Sequence, residues 1–479
     1  MINLILLFPL FACLILAIFK KPFLNTFLLN IYAFLHLAIS IFACKGIDFL
    51  PFWKSCQFFE INNRNIIFLL VMSIVFTAVA IYNNGYIKNE KAETKKIRHY
   101  TYMLLFFVLS MTGAILSTNL GVSWIFIEVT TLASGYLIYF HKTKHSIEAA
   151  WKYVFICSIG IALAFVGIIL LTFATGSLNS LNFTDLYINA HLFNPFWLKL
   201  AFIFIMFGIG TKMGLAPVHF WLPDAHAEAP SPISALLSAT LLNSAFLMIM
   251  NVFGIMVVAN CDSYARLMML IMGFLSLFVT AVFVYHINNY KRMLAYSSIE
   301  NMGILIIGLA LGGIAALASI IHLIGHSLIK ASFFLTSGNI LELYSTKKIK
   351  SVNGILNIDK KTGWLWIFSL IGIAAFPPSV LFISEFMIIR AMFVQHKMTI
   401  CIIFLLLLTI ILYGLAKAVI TMSFSEISNE KAIEVESKLK NLNWTMYLPQ
   451  ILMLVLALVL GVFIPENLLE LINNTVKGF

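Results

Sequence analysis

Fourteen runs of about twenty apolar residues fill nearly the whole chain, at 1–19, 23–44, 66–87, 99–116, 119–140, 149–174, 196–223, 232–258, 264–286, 294–312, 313–343, 363–393, 398–424 and 443–465. A helix needs about 20 such residues to cross the ~30 Å hydrocarbon core of a bilayer. Inside lipid a backbone must satisfy its own N–H and C=O groups, which restricts such segments to helices or closed barrels. Composition removes the remaining choice. Charged residues make up 11% of the 479 and apolar ones 61%, whereas a soluble surface carries roughly 25–35% charge. Disorder is excluded by the wealth of Phe, Ile and Leu. The expected fold is an all-α integral membrane protein of about 14 transmembrane helices, forming a single polytopic membrane domain over 1–479. The first run, MINLILLFPLFACLILAIF, lacks a basic leader and a small-residue cleavage site and is followed by Lys20 and Lys21, so it reads as a retained span.

The net charge of +11 is carried mainly by loops. Loops after odd-numbered helices hold 19 of the 31 lysines and arginines, loops after even-numbered helices with the C-terminus hold six, and six lie within spans. By the positive-inside rule the odd loops are cytoplasmic and both termini face outward. Cytoplasmic retention accounts for the basic charge, and nucleic acid is not expected as a partner. The six cysteines, Cys13, Cys44, Cys56, Cys157, Cys261 and Cys401, show no metal-binding spacing. With no nucleophile triad or nucleotide loop either, the expectation is no catalytic residue, no metal and no cofactor in this chain, and any redox chemistry falls to partner subunits.

Two spans are broken near their middles, by Pro217 within FGIGTKMGLAPVHFWLPDAH and by Pro377 and Pro378 within IAAFPPSVLFISEF. They lie five spans apart, an odd offset that reverses direction through the membrane. The expectation is an inverted repeat of two five-helix units, 99–258 and 264–424, flanked by helices at 1–87 and 443–465; in transporters this pattern points to a midplane ion site.

Ionisable residues inside a bilayer cost at least a few kcal/mol each and need a partner, water or a function. His322, His326 and Lys330 at i, i+4, i+8 share one face of span 11, a stripe suited to proton conduction. Lys212 precedes the Pro217 break by five residues, and Glu128 on span 5 needs a partner on another helix, with a Glu128–Lys212 pair as the candidate gate. Glu128 and Glu385 read as the deep acids, Glu300 as nearer a helix end. Lys152 and His219 complete the set.

The run GTKMGLAPVHFWLPDAHAEAPSPISALLSA, from Gly210 to Ala239, resembles the signature of the proton-translocating antiporter-like membrane subunits shared by complex I, multisubunit cation antiporters and group 4 membrane-bound hydrogenases. YKRMLAYSSIENMG, from Tyr290 to Gly303, is similar to the second signature of that family. The resemblance covers nearly the whole chain and implies fourteen helices with two inverted five-helix repeats and broken helices 7 and 12. It implies a proton path through Glu128, Lys212, His322, His326, Lys330 and Glu385, with Lys152 as modulator of Glu128; beside that path His219, Asn243 and Glu300 are expected to act as modulating or linking residues. One departure matters: many complex I members carry a lysine on span 8 where this chain has Asn243, and an amide carries no proton charge.

Within the family, EAAWKY from Glu148 to Tyr153 and SSIE ending at Glu300 look most like hydrogenase-4 component F of formate hydrogenlyase-type complexes. That resemblance implies a nickel–iron centre and iron–sulfur clusters on partner subunits, other antiporter-like and anchor membrane subunits, a cytoplasmic redox arm, and the bacterial or archaeal cytoplasmic membrane. The competing readings are a middle antiporter-like subunit of complex I, a sodium/proton antiporter subunit, and a membrane anchor that does not pump.

Overall fold

A computed structural model describes residues 1–46, 58–90 and 92–479, with the backbone alone for Lys431. Cys56 and the loop lysines Lys54 and Lys91 lie outside the described residues; the other five cysteines are free thiols. Among the described residues, thirteen helices are long and apolar enough to cross a membrane. In chain order they are α1 (Ile2–Phe19), α2 (Pro22–Cys44), α3 (Ile66–Asn89), α4 (Thr94–Leu116), α5 (Leu120–Ile138), α6 (Lys144–Thr175), α7a (Pro195–Met213), α8 (Ser231–Val258), α9 (Asp262–Val284), α10 (Tyr290–Leu311), α11 (Ile314–Tyr344), α13 (Met398–Phe424) and α14 (Trp444–Val462). The remaining expected span is present as two shorter pieces, α12a (Lys360–Ile373) and α12b (Val380–Val394), neither long enough to cross alone. Extended pairing among the described residues is confined to isolated bridges. The chain is a multi-pass helical membrane protein.

Caps fix where the helices begin. The side chain of Asn119 accepts the N–H groups of Gly121 and Val122 at the start of α5, and Asn289 does the same for Lys291 and Arg292 at the start of α10. Each of these asparagines also bridges to the loop that follows the next helix, Asn119 to Asn182 after α6 and Asn289 to Lys348 after α11. The polar surroundings of the second cap hide one boundary in the sequence. Helix α10 begins at Tyr290, four residues earlier than expected, so Lys291 is a fully buried side chain and not a loop cation.

Helices α10 and α11 form the centre, buried almost throughout, while α13 and α14 are mostly exposed and turn apolar faces to lipid. Close approach of α6 to α7a depends on Gly208, where a Cβ would come within 2.6 Å of the Gly160 carbonyl. Only glycine fits at that crossing.

Candidate functional site

Both helix breaks are built so that freed backbone groups find partners, the condition for irregular backbone at membrane depth. Helix α7a ends at Gly214, which takes φ 78° and donates its N–H to Gly210 and Thr211 carbonyls. Trp221 then donates its indole N–H to the Thr211 carbonyl at 2.7 Å, and Ser276 of α9 accepts the Ala216 N–H at 2.9 Å. The chain resumes as the short helix α7b (Leu222–Glu228). At the second break the Ser379 hydroxyl donates to the Gly372 carbonyl at 3.0 Å and accepts the Leu381 N–H, so one side chain closes α12a and opens α12b. Pro217, Pro377 and Pro378 are all exposed on the outside of the bundle.

Lys212 sits in the last turn of α7a with no exposed surface. Its ammonium donates to the Tyr153 hydroxyl at 3.1 Å and to Thr130 Oγ1 at 3.4 Å, and Tyr153 is in turn 2.6 Å from Ser134 Oγ. The expected Glu128–Lys212 ion pair is not formed: the Glu128 carboxylate accepts from Thr131 at 3.1 Å and Ser158 at 3.4 Å. Glu128 is only partly buried, and its contact with Ser158 places it at the seam of α5 and α6. Lys152 is also placed differently from expectation. It is 43% exposed and pairs with Glu148 at 2.6 Å and Asp224 at 3.3 Å, so its contacts are to acids at the end of α6 and on α7b and not to Glu128.

Between the halves stands Asn243. Its amide N–H group donates to the Ala239 carbonyl and to Ser327 Oγ, both at 2.8 Å, which ties α8 to α11. The Ala239 carbonyl belongs to a π-helical turn, Leu237–Leu241, whose widened ladder Asn243 thereby supports. Next to it Ser238 and Ser298 meet at 2.8 Å, linking α8 to α10.

His322, His326 and Lys330 are all fully buried on α11, as the spacing predicted. Lys330 donates to the Leu294 carbonyl at 2.6 Å, an acceptor shared with the Ser298 hydroxyl at 3.2 Å. His322 is held between Asn301 and Ser384, each at 3.0 Å. Both ring nitrogens of His326 lack a hydrogen-bond partner among the described residues.

The order of burial among the acids reverses the expectation. Glu300 lies at the middle of α10 with 7% exposure, while Glu385 is only partly buried. The early start of α10 moves Glu300 away from a helix end. The two acids line a common cavity of about 240 Å³, together with Ile373, Ala375 and Thr409, and Glu300 Oε2 has no hydrogen-bond partner among the described residues.

Sequence reasoning missed two buried groups at the other end of the axis. Lys291 donates to the Ala229 carbonyl at 2.6 Å, and His226, buried on α7b, stacks on Phe334 of α11 with neither ring nitrogen bonded. Both look like loop residues in a hydropathy profile. His219 is buried in the first break between the rings of Phe220 and Tyr296. By contrast His36, buried on α2, has both ring nitrogens satisfied by Ser73 at 2.7 Å and Thr112 at 3.0 Å and serves packing.

Residues 117–410 match the model of the NADH:quinone oxidoreductase/Mrp antiporter transmembrane family. The chain belongs to that family. The match encloses every residue of the polar axis from Glu128 to Glu385. Among its relatives is the hydrogenase-4 component F homolog of Methylacidiphilum infernorum, 32% identical over 97% of both chains. A Na(+)/H(+) antiporter protein of Alkalihalophilus pseudofirmus is 28% identical over 77% of this chain and 73% of its own length. In structure the chain is similar to one in the membrane-bound sulfane sulfur reductase, an archaeal respiratory membrane complex, with a TM-score of 0.88 at 23% identity, covering 100% of this chain and 97% of the other. It is an antiporter-like membrane subunit.

Proposed function

We propose that this subunit moves protons across the membrane within a redox-driven complex of the group 4 nickel–iron hydrogenase type, in the cytoplasmic membrane with both termini outside. The observation that carries the reading is Lys212: a fully buried ammonium at a helix break whose partners are two hydroxyls and no carboxylate. A lysine so placed has no ion pair to hold its charge, so small changes in its surroundings load or release a proton. The path runs from Glu128 and Lys212 past Asn243 to Lys330, His326 and His322, and leaves by Glu300 and Glu385. Hydroxyls pass protons because they both donate and accept. The unbonded polar atoms of His226, Asn243, Ser297, His326 and Glu300 are seats for ordered water, since buried polar groups are satisfied by protein or by water.

Units 99–258 and 264–424 act as inverted repeats. In support, the caps of α5 and α10, five helices apart, make equivalent bridges, and the two broken helices are separated by the same offset. The resemblance to component F supports other membrane subunits and a cytoplasmic redox arm, carrying a nickel–iron centre and iron–sulfur clusters, as partners. The identity to a sodium/proton antiporter protein supports a second reading, sodium/proton exchange without redox input.

Reconstituting the intact complex in vesicles with Lys212→Ala tests the proposal. A pump loses proton uptake while it keeps assembly; unchanged uptake reduces the chain to a membrane anchor. Uptake that requires external sodium and no electron donor moves it to the antiporters.

A further inference from the structure

Away from the polar axis, α11, α12a and α14 enclose a groove of about 510 Å³. Ile329, Phe368, Leu454 and Leu458 line its walls, Lys360 and Lys361 stand at one end, and Pro378 and Ser379 close the other. Phe368 and Leu458 are about half exposed, so the groove opens sideways onto the surface that lipid covers.

The charged end is unneutralised. Lys360 and Lys361 are exposed, and neither forms an ion pair among the described residues. The neighbouring carboxylate, Asp359, is committed to the N–H groups of Lys361 and Thr362 and to the hydroxyls of Thr362 and Tyr447. From Lys361 to Gly372 the groove follows α12a for ~16 Å at 1.5 Å per residue. One leaflet of hydrocarbon is ~15 Å deep, half of the ~30 Å core. Two cations at the membrane boundary above an apolar slot one leaflet deep match the shape and charge of a single class of molecule.

We infer that this groove is a seat for an anionic phospholipid, with its phosphate on Lys360 and Lys361 and an acyl chain lying between α12a and α14. The Lys361 ammonium lies 5.3 Å from the centroid of the Tyr447 ring, which leaves its charge, with that of Lys360, to the headgroup. The chain's far end packs against Pro378 and Ser379, where α12 is broken and where Gly461 of α14 lies close against the backbone of the joint. A neighbouring subunit's helix in the slot would cover the apolar walls but leave the two ammonium groups without counter-charge.

Native mass spectrometry of the intact complex, titrated with phosphatidylglycerol and phosphatidylcholine, tests the inference. A basic residue at the membrane surface contributes about 1 kcal/mol to anionic lipid binding. The double variant Lys360→Ala/Lys361→Ala is therefore expected to bind phosphatidylglycerol about thirty-fold more weakly at this seat and phosphatidylcholine unchanged. Leu458→Trp, which fills the slot from its open side, is expected to weaken both lipids, and it keeps the test available should the double variant fail to assemble. Equal phosphatidylglycerol binding in these variants overturns the proposal. So does competition by inorganic phosphate alone, or a crosslink from Leu458→Cys to a neighbouring subunit's helix.

Discussion

Lys212 and Lys330 are both fully buried lysines near the middle of a membrane, yet their surroundings differ in kind. Lys212 ends a broken helix, where the negative end of the helix dipole favours a cation, and it donates to the hydroxyls of Tyr153 and Thr130. Lys330 lies mid-helix, with the Leu294 carbonyl as its acceptor and the Phe334 ring 5.9 Å away. A hydroxyl continues a chain of hydrogen bonds and a carbonyl ends one. The first half is thus wired by side chains, through Tyr153 to Ser134. The second half depends on atoms with no partner among the described residues, both ring nitrogens of His326 and Oε2 of Glu300, and hence on water. One residue type meets the cost of a buried charge in two ways, and only one of them is set by the protein alone.

The largest effect that bears on this contrast comes from Lys330→Ala. If the halves act in series, proton uptake by the reconstituted complex falls by at least about ten-fold, as for Lys212→Ala, equivalent to about 1.4 kcal/mol in the barrier. Retained uptake would show that the first half conducts by itself. Next comes Tyr153→Phe. Losing one hydrogen bond to a charged group costs about 1.5–3 kcal/mol, so a drop of roughly ten-fold in transport is expected. Leu294→Ala, which keeps the carbonyl that Lys330 uses, should leave the rate within two-fold of wild type, a margin well below about 1 kcal/mol. Similar losses in both variants would erase the distinction between hydroxyl and carbonyl wiring. The smallest effect is assigned to Asp224→Asn, which breaks the contacts to Lys152 and Arg292. Those cations are 43% and 49% exposed, so the pairs contribute below about 1 kcal/mol to stability. Thermal unfolding in detergent should barely move, and transport not at all; a large change would place this cluster on the path.

Much of the axis was legible before the fold. His322, His326 and Lys330 fell on one face of α11 because 3.6 residues per turn brings i, i+4 and i+8 together, and the breaks at Pro217 and at Pro377 and Pro378 followed from the missing N–H of proline. Errors arose where polarity near a helix end imitated a loop. Lys291 and Arg292 suggested water at the start of α10, and this misplaced Glu300 and concealed Lys291; His226 was lost in the polar run that became α7b. The expected Glu128–Lys212 pair failed for another reason. Charge alone names candidates, but which hydroxyls lie nearer depends on how α5, α6 and α7a cross.

The sequence by itself determined that the chain crosses the membrane many times and which helices break, since these follow from local hydropathy and from backbone chemistry at each residue. Its signatures also marked the family. Tertiary structure alone decided that Lys212 faces Tyr153, that Asn243 joins α8 to α11 through Ser327, and that Glu300 and Glu385 share a cavity. Such pairings join residues 59 to 85 positions apart, set by the rotation and crossing of helices whose apolar surfaces look alike in sequence.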